Sequence, residues 1–370
     1  MKIPLCKSPL TKNDLFEINK SLKTGWLTHG KNNIEFENNF KKITGVKYAI
    51  SMNSCTSALE CSLKGNKIKG EVIIPSWTWV STANAVLNSS CIPVFADVNL
   101  NSRNITADEI KKVISKKTKA IIIVHYGGLP CDMDEIVKLC KKRKIYLIED
   151  SAETLGGTYK KKFTGTFGIG CFSFFPTKNI TTTEGGMLTT ADKNLYEYTK
   201  KLIAHGIDKK KNKLPWKRES VLAGHNFRMP NHLAALGTSQ LKKLSTFNAK
   251  RNLIAKKYDN FFNKYPKIFK VQKFDKKFTH SYQMYNLQIK SGLRTNFIKF
   301  MRYKDIEISV HFDPPLHKQR FFKKFKKGNL ANTEILSKTI ITMPIYPTLK
   351  YKEIEHIFKQ IKKWMTNLVR

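Results

Sequence analysis

The chain is short of acidic residues and lacks any long apolar run, and these two absences bound its class before any motif is read. Aspartate and glutamate number 28 against 67 lysines and arginines, a formal charge of +39 over 370 residues. No segment approaches the roughly 18 apolar residues that a membrane-spanning helix needs. The start, MKIPLCKSPLTKND, has no apolar core of the kind a secretory leader carries. The expectation is a cytoplasmic protein with no membrane attachment. Seven cysteines occur, at 6, 55, 61, 91, 131, 140 and 171, and none forms a CxxC pair. Neither a zinc ribbon nor a thioredoxin-type motif is supported, and HExxH is absent, so reduced structural thiols and no metal are expected.

Also missing is the arrangement that would turn positive charge into a nucleic-acid signal. Such a surface concentrates basic residues and interleaves them with aromatics. Here lysines spread over nearly every helical segment, as in Lys111-Lys112, Lys141-Lys142, Lys209-Lys210-Lys211, Lys323-Lys324 and Lys362-Lys363. Arginine is scarce, and there is no basic tail and no repeat. No nucleic-acid partner is expected. A positive field still favours an anionic substrate.

What is present is a chain with 41% hydrophobic and 11% aromatic residues, long enough for one large and one smaller domain. The first two-thirds alternates apolar strand-like runs, at 48–52, 71–75, 92–97, 120–125, 145–149, 171–175 and 186–190, with helical patterns at 57–63, 83–88, 107–115 and 132–142. This rhythm predicts an α/β fold with a mostly parallel sheet covered on both faces, whose ligands sit outside the strands' carboxyl ends. A long helical pattern over 231–265 carries the chain towards a second unit. That unit has strands near 282–289 and 307–312 and helices near 295–303, 333–338 and 352–365. The expected division is 1–240 and 241–370.

The stretch from Tyr146 to Thr190 carries the most chemistry. It opens on a buried strand ending in Glu149-Asp150 and closes with Lys178 after the aromatic run FSFFP, followed by Gly185-Gly186. A lysine beside an apolar site is a nucleophile and base, and a fixed carboxylate at a strand end holds a cation. That pairing suits a pyridoxal-phosphate (PLP) enzyme, the lysine forming a Schiff base and the carboxylate keeping a pyridinium nitrogen protonated. Taken alone, Asp150 serves equally well as a helix cap, while the alternative for Lys178 is a surface lysine in a turn. Glu153, three residues beyond Asp150, reaches the same pocket. NSCTSALE (53–60) turns from a strand end into a helix start, where backbone N–H groups bind phosphate or simply make an N-cap. Ser173 adds a hydroxyl. Trp77 and Trp79 follow another strand end as core packing or as a ring-stacking face. GTFGIG (165–170) follows lysines and leads into a strand, so a dinucleotide fingerprint is rejected. His311 and His317, in SVHFDPPLH, are structural or face the substrate.

With these residues assembled, the chain resembles the DegT/DnrJ/EryC1/StrS family of PLP-dependent sugar aminotransferases. The likeness runs through GWLTHG, EFENNFKKITGVKYAISMNSCTSALE, EVIIPSWTWVSTANAV, TKAIIIVHYGGLPCDMDEI, the Tyr146–Thr190 stretch, GHNFRMPNHLAALGTSQL, SVHFDPPLH and TMPIYPTL. The resemblance implies PLP fold type I, with a seven-stranded sheet in the large domain. It implies Lys178 as the Schiff-base lysine, Asp150 on the pyridine nitrogen, Trp79 on the ring face and Glu153 near the ring hydroxyl. The backbone of Thr56 and Ser57, with Ser173, would hold the phosphate. Asn226, in HNFRM, would reach it from the neighbouring subunit of a homodimer. The implied reaction moves an amino group from L-glutamate to a nucleotide-linked keto-sugar. Two related readings are a PLP/PMP-dependent sugar dehydratase, which Lys178 argues against because that branch replaces the lysine with histidine, and a non-catalytic sugar-nucleotide sensor. The family's TTGEGG reads Thr183-Glu184-Gly185-Gly186 at its end here. A threonine there predicts a slightly altered loop after Lys178. Substrate-contacting loops are expected in 206–224 and after His311.

Overall fold

The computed structural model describes residues 1–208, 214 and 216–369. Two helices open the chain, α1 (Lys12–Lys23) and α2 (Lys31–Thr44). Thr11 starts α1 by a reciprocal cap: its hydroxyl accepts from Asp14 N while Asp14 Oδ2 accepts from Thr11 N at 2.7 Å. Strands and helices then alternate: β1 (Tyr48–Met52), α3 (Cys55–Gly65), β2 (Glu71–Pro75), α4 (Val80–Asn88), β3 (Ile92–Ala96), α5 (Ala107–Val113), β4 (Thr118–Val124), α6 (Met133–Arg143) and β5 (Tyr146–Asp150). A short hairpin, β6 (Thr158–Tyr159) and β7 (Lys162–Phe163), precedes β8 (Ile169–Ser173), β9 (Gly186–Thr190) and α7 (Lys193–Leu202).

The seven longer strands form one sheet in the order β1-β9-β8-β5-β4-β2-β3, in which β9 alone runs against its neighbours. Its strands read as unbroken apolar runs because both faces are covered. Val72, Ile74, Ala120, Ile122 and Ile148 join one core with α3, α4 and α7, while Ile73, Ile121, Ile123 and Leu147 join another with α5 and α6. The alternation is the period-two side-chain geometry of a strand. A third core, holding Phe36, Phe40, Phe172, Phe174 and Met229, packs α2 and the next helix, α8 (Asn231–Leu241), against the β8–β9 end of the sheet.

The helical pattern over 231–265 is two helices. It breaks at Lys242–Lys243, and α9 (Leu244–Phe262) begins in the third core and ends in a fourth. The fourth core gathers β10 (Phe269–Val271), β12 (Tyr285–Ile289), α10 (Arg294–Tyr303), β13 (Ile340–Met343) and α12 (Tyr351–Val369), with β11 (Phe278–Thr279) pairing back onto β6 and α11 (Ala331–Thr339) leading into β13. Ile3 belongs to this core, its backbone paired with Ile306. The strand expected over 307–312 is not formed. Only single bridges occur, Ile306 to Ile3 and Ser309 to Thr342, because prolines at 314 and 315 end any extended pairing there. No helix among the described residues is long and apolar enough to cross a membrane.

The acidic pair at the end of β5 is split by the same alternation. Glu149 points to the α6 face and organises the GTFGIG segment: its oxygens accept from Gly165 N, Phe167 N and Gly168 N, each at 2.7 Å. His125 Nε2 lies 3.2 Å from Glu149 Oε2, and Cys131 N donates to His125 Nδ1 at 3.0 Å, which puts the ring proton on the Glu149 side. The glycines of this segment answer to crowding: a Cβ on Gly168 would lie 2.3 Å from Leu147 O. In the loop after Lys178, Thr183 takes φ of 67°, with its N–H on Thr181 Oγ1 at 2.9 Å, so a threonine sits in the left-handed region and its cost is carried as backbone strain.

Two outcomes follow from this geometry. Glu149→Ala strips one buried and two half-buried N–H groups and a buried histidine of their acceptor, and should lower stability by about 3 kcal/mol or more in urea unfolding. Thr183→Gly relieves the left-handed threonine but loosens the unfolded chain, and should raise stability by about 0.5–1 kcal/mol net. A loss of stability in that variant would contradict the strain.

Candidate active site

The carboxyl ends of β1, β2, β4, β5 and β8 deliver Asn53, Ser76, His125, Asp150 and Ser173 to one edge of the sheet, and the antiparallel β9 starts there with Gly186. Gly186 is required by proximity: a Cβ on it would sit 2.3 Å from Ser54 C and 2.5 Å from Cys55 N. The absent side chain lets the start of α3 press against the turn after Lys178. Ser54 caps that helix, accepting from Ser57 N at 3.1 Å, and Ser57 Oγ donates to Asn53 Oδ1 at 2.7 Å. The first intrahelical bond is from Ala58 N to Ser54 O. The amides ahead of it at Cys55 and Thr56 are therefore the ones a helix start offers an anion. The amide of Ser57, expected to share this task, is already taken by Ser54.

Asp150 lies on the opposite face of β5 from Glu149, towards α3 and α4. Thr82 Oγ1 donates to its Oδ2 at 2.8 Å, Ala152 N to its Oδ1 at 3.2 Å, and the Cys55 thiol lies 4.0 Å from Oδ1. Burial pushes the Asp150 carboxyl above its ordinary range, and the Thr82 and Ala152 hydrogen bonds, then the Lys178 charge, offset part of that rise. Glu153 is likewise raised by burial and drawn down by Lys178 and by Gly127 N, which donates to its Oε2 at 2.7 Å. Lys178 Nζ is 3.9 Å from Glu153 Oε1, with little of the lysine side chain exposed. Buried Asp150 and Glu153 and half-buried Lys178 thus lie within electrostatic reach of one another.

Two neighbours complete this group. Trp79 is the N-cap residue of α4 and is 59% exposed, its ring 5.9 Å from that of Phe312. Trp77 is buried, packed with Tyr126 and Phe312. His311 comes within electrostatic reach of Lys178, and burial, with that charge, pushes its pKa down to about 4. Its tautomer can be read. Thr342 Oγ1 donates to Asn286 Oδ1 at 2.7 Å and so can only accept from His311 Nδ1, 2.9 Å away; His311 Nε2 is left as an acceptor.

The structure does not bring every expected residue into this group. His317 is buried, tied up with Nδ1 2.7 Å from Ser76 Oγ and Nε2 3.4 Å from Glu334 Oε1. It joins the end of β2 to α11. Ser173 ends β8 and is buried, with Phe175 N donating to its hydroxyl at 3.4 Å. Asn226 is exposed, on a segment bridged to Ala204 and anchored by Asn53 N on Phe227 O at 2.9 Å. Part of the expected substrate segment 206–224 lies outside the described residues. Sequence reading missed Thr82, Cys55 and Gly127. Only Gly127-Gly128 carried a signal, as a Gly-Gly turn after β4, where both take positive φ.

These side chains fit a flat, phosphorylated pyridine aldehyde. There is an amine for the aldehyde, a buried carboxylate for a ring cation, an open indole for the ring face and unpaired amides for the phosphate. Comparison with known proteins agrees. Residues 9–362 match the family described as the DegT/DnrJ/EryC1/StrS aminotransferase family. The chain is 33% identical over 370 residues to GDP-perosamine synthase of Escherichia coli O157:H7, covering 99% of each. It is 32% identical to the spore coat polysaccharide biosynthesis protein SpsC of Bacillus subtilis (strain 168), over 97% of this chain and 96% of that one. Helicobacter pylori PseC, an aminotransferase involved in the biosynthesis of pseudoaminic acid, superposes with a TM-score of 0.94 at 30% identity, over 99% of this chain and all of that one. Solved sugar aminotransferases of this fold include a PLP form. The protein belongs to the DegT/DnrJ/EryC1/StrS aminotransferase family, and its cofactor is pyridoxal 5'-phosphate.

Proposed function

We propose that the enzyme transfers an amino group from L-glutamate to a nucleotide-linked keto-sugar, as a homodimer whose two sites each borrow Asn226 from the partner. The observation that carries this reading is the convergence of Lys178, Asp150 and Glu153 within electrostatic reach of one another at the sheet's carboxyl edge. PLP, when bound there, supplies an aldehyde that takes the amino group and a ring that absorbs electron density.

The chain's own residues do the rest. Lys178 Nζ is the amine that holds the cofactor and the base placed to take the proton from the donor's Cα. Asp150 holds a proton on the pyridine nitrogen, which requires it to remain anionic against its burial. Glu153, fixed by Gly127 N, orients the ring from the hydroxyl side. Trp79 covers one ring face. The amides of Cys55 and Thr56, with Ser173, take the phosphate, which also meets the positive end of α3. His311, neutral and with Nε2 as acceptor, suits a hydroxyl of the sugar. The surplus of lysine favours a diphosphate-bearing substrate over a neutral one. The relatives named for perosamine, pseudoaminic acid and spore-coat polysaccharide support a sugar pathway. A cytoplasmic location fits nucleotide-sugar chemistry.

Purified protein mixed with PLP should develop a visible absorption band that Lys178→Ala lacks, and that variant should turn over roughly 10²–10⁴-fold more slowly. Asp150→Ala should cost about 10²-fold in turnover, far more than any surface substitution. Survival of the band in Lys178→Ala removes the assignment. The shared site has its own test. Lys178→Ala and Asn226→Ala, each impaired alone, should recover up to roughly a quarter of wild-type activity when their subunits are mixed, because each mixed dimer rebuilds one intact site. No recovery would place Asn226 in its own subunit's site or outside it. Incubation with glutamate and a panel of nucleotide keto-sugars identifies the acceptor.

A further inference from the structure

The hydroxyl of Thr82 has two partners, Asp150 Oδ2 at 2.8 Å and Thr78 Oγ1 at 3.0 Å. A hydroxyl carries one hydrogen and an ionised carboxylate carries none. Thr82 therefore gives its hydrogen to Asp150 and accepts from Thr78, and the chain runs in one direction, Thr78 to Thr82 to Asp150. All three residues are buried, so bulk water does not compete for these bonds. Thr78 precedes Trp79 on the turn between β2 and α4, and Thr82 lies in the first turn of α4. One chain of hydrogen bonds thus joins the turn carrying the exposed indole to the carboxylate at the end of β5.

We propose that Thr82 is a positioning residue that, backed by Thr78, holds Asp150 anionic and oriented towards the cofactor's ring nitrogen. This rests on the assignment of Asp150 above. The charged and titratable groups around Asp150 are Cys55 from α3, Cys171 from β8, Lys178 from the loop after β8, His125 after β4 and Glu153 after β5. The thiols of Cys55 and Cys171 are held well above their ordinary range, first by burial and then by Asp150, so they stay neutral. Among the forces opposing the burial of Asp150, the Thr82 hydrogen bond stands first, ahead of the Ala152 amide and the Lys178 charge. Without it the carboxyl protonates at higher pH and loses the lone-pair orientation that a ring N–H needs.

The test is PLP affinity and the visible absorption of bound PLP, measured without amino donor across pH. Thr82→Val, equal in shape but without the donor, should weaken PLP binding roughly 10- to 100-fold and move the acid limit of binding to higher pH. Thr82→Ser should restore both. Thr78→Val, which leaves Thr82 in place but removes its donor, should cost a smaller, few-fold loss in the same direction, and it reads the same chain if Thr82→Val fails to fold. In an Asp150→Asn background, Thr82→Val should add nothing to the loss of PLP affinity. Wild-type affinity and an unmoved acid limit in Thr82→Val or Thr78→Val, equal damage from Val and Ser, or an unchanged Thr82→Val effect in Asp150→Asn would each overturn the proposal. If Asp150→Asn itself binds PLP as wild type does, the Asp150 assignment falls and the relay with it; if Asp150→Asn is impaired and Thr82→Val is not, only the relay falls.

Discussion

A carboxylate buried inside the protein is the constraint around which this site is built. Burial alone would neutralise Asp150 and remove its use. The fold answers with a hydroxyl from α4, an amide two residues along its own chain and the ammonium of Lys178. Each answer comes from a different sheet-edge segment, so the sheet must bring three strand ends, those of β2, β5 and β8, together around this carboxylate. The same end of β5 solves a second problem with Glu149, whose three amide bonds and histidine contact hold the glycine-rich segment that leads into β8. One dipeptide thus braces the scaffold on one face and equips the site on the other.

The C-terminal part of the chain supports the pocket as well as covering it. Gln283 Nε2 donates to Thr177 O at 3.0 Å and Asn179 Nδ2 donates to Ser281 O at 2.9 Å, gripping the residues on both sides of Lys178. Ser281 N and Met284 N bond the carbonyls of Gly128 and Gly127 in turn. The position of Lys178 therefore depends on segments more than 100 residues away in sequence, and the helix α9, anchored in two cores, runs beneath them.

Much of the main sheet was legible before any coordinates. Continuous apolar runs such as 71–75 and 120–125 read as buried parallel strands because covering both faces removes the polar alternation. Lys178 and Asp150 were legible as a pair because each follows such a run. Less legible were α1, α2 and α7, whose lysines and asparagines leave a thin apolar stripe. The segment 307–312 misled, since β-branched residues before two prolines look like a strand while the prolines deny it a ladder. His317 and Ser57 show the limit for sites: a residue type fits two roles, and only its partners decide between them.

By itself, the order of residues determined the class of chemistry: an amine and a carboxylate at neighbouring strand ends, with small hydroxyl residues at a helix start. Those features depend on local pattern, and local pattern is carried by the chain. The tertiary structure alone decided that Thr82 and Thr78 feed Asp150, that Glu149 serves the scaffold, that His311 offers an acceptor and that His317 braces a joint. Each of these rests on which way a hydrogen points between residues distant in sequence, and hydrogen-bond direction is a property of the assembled neighbourhood.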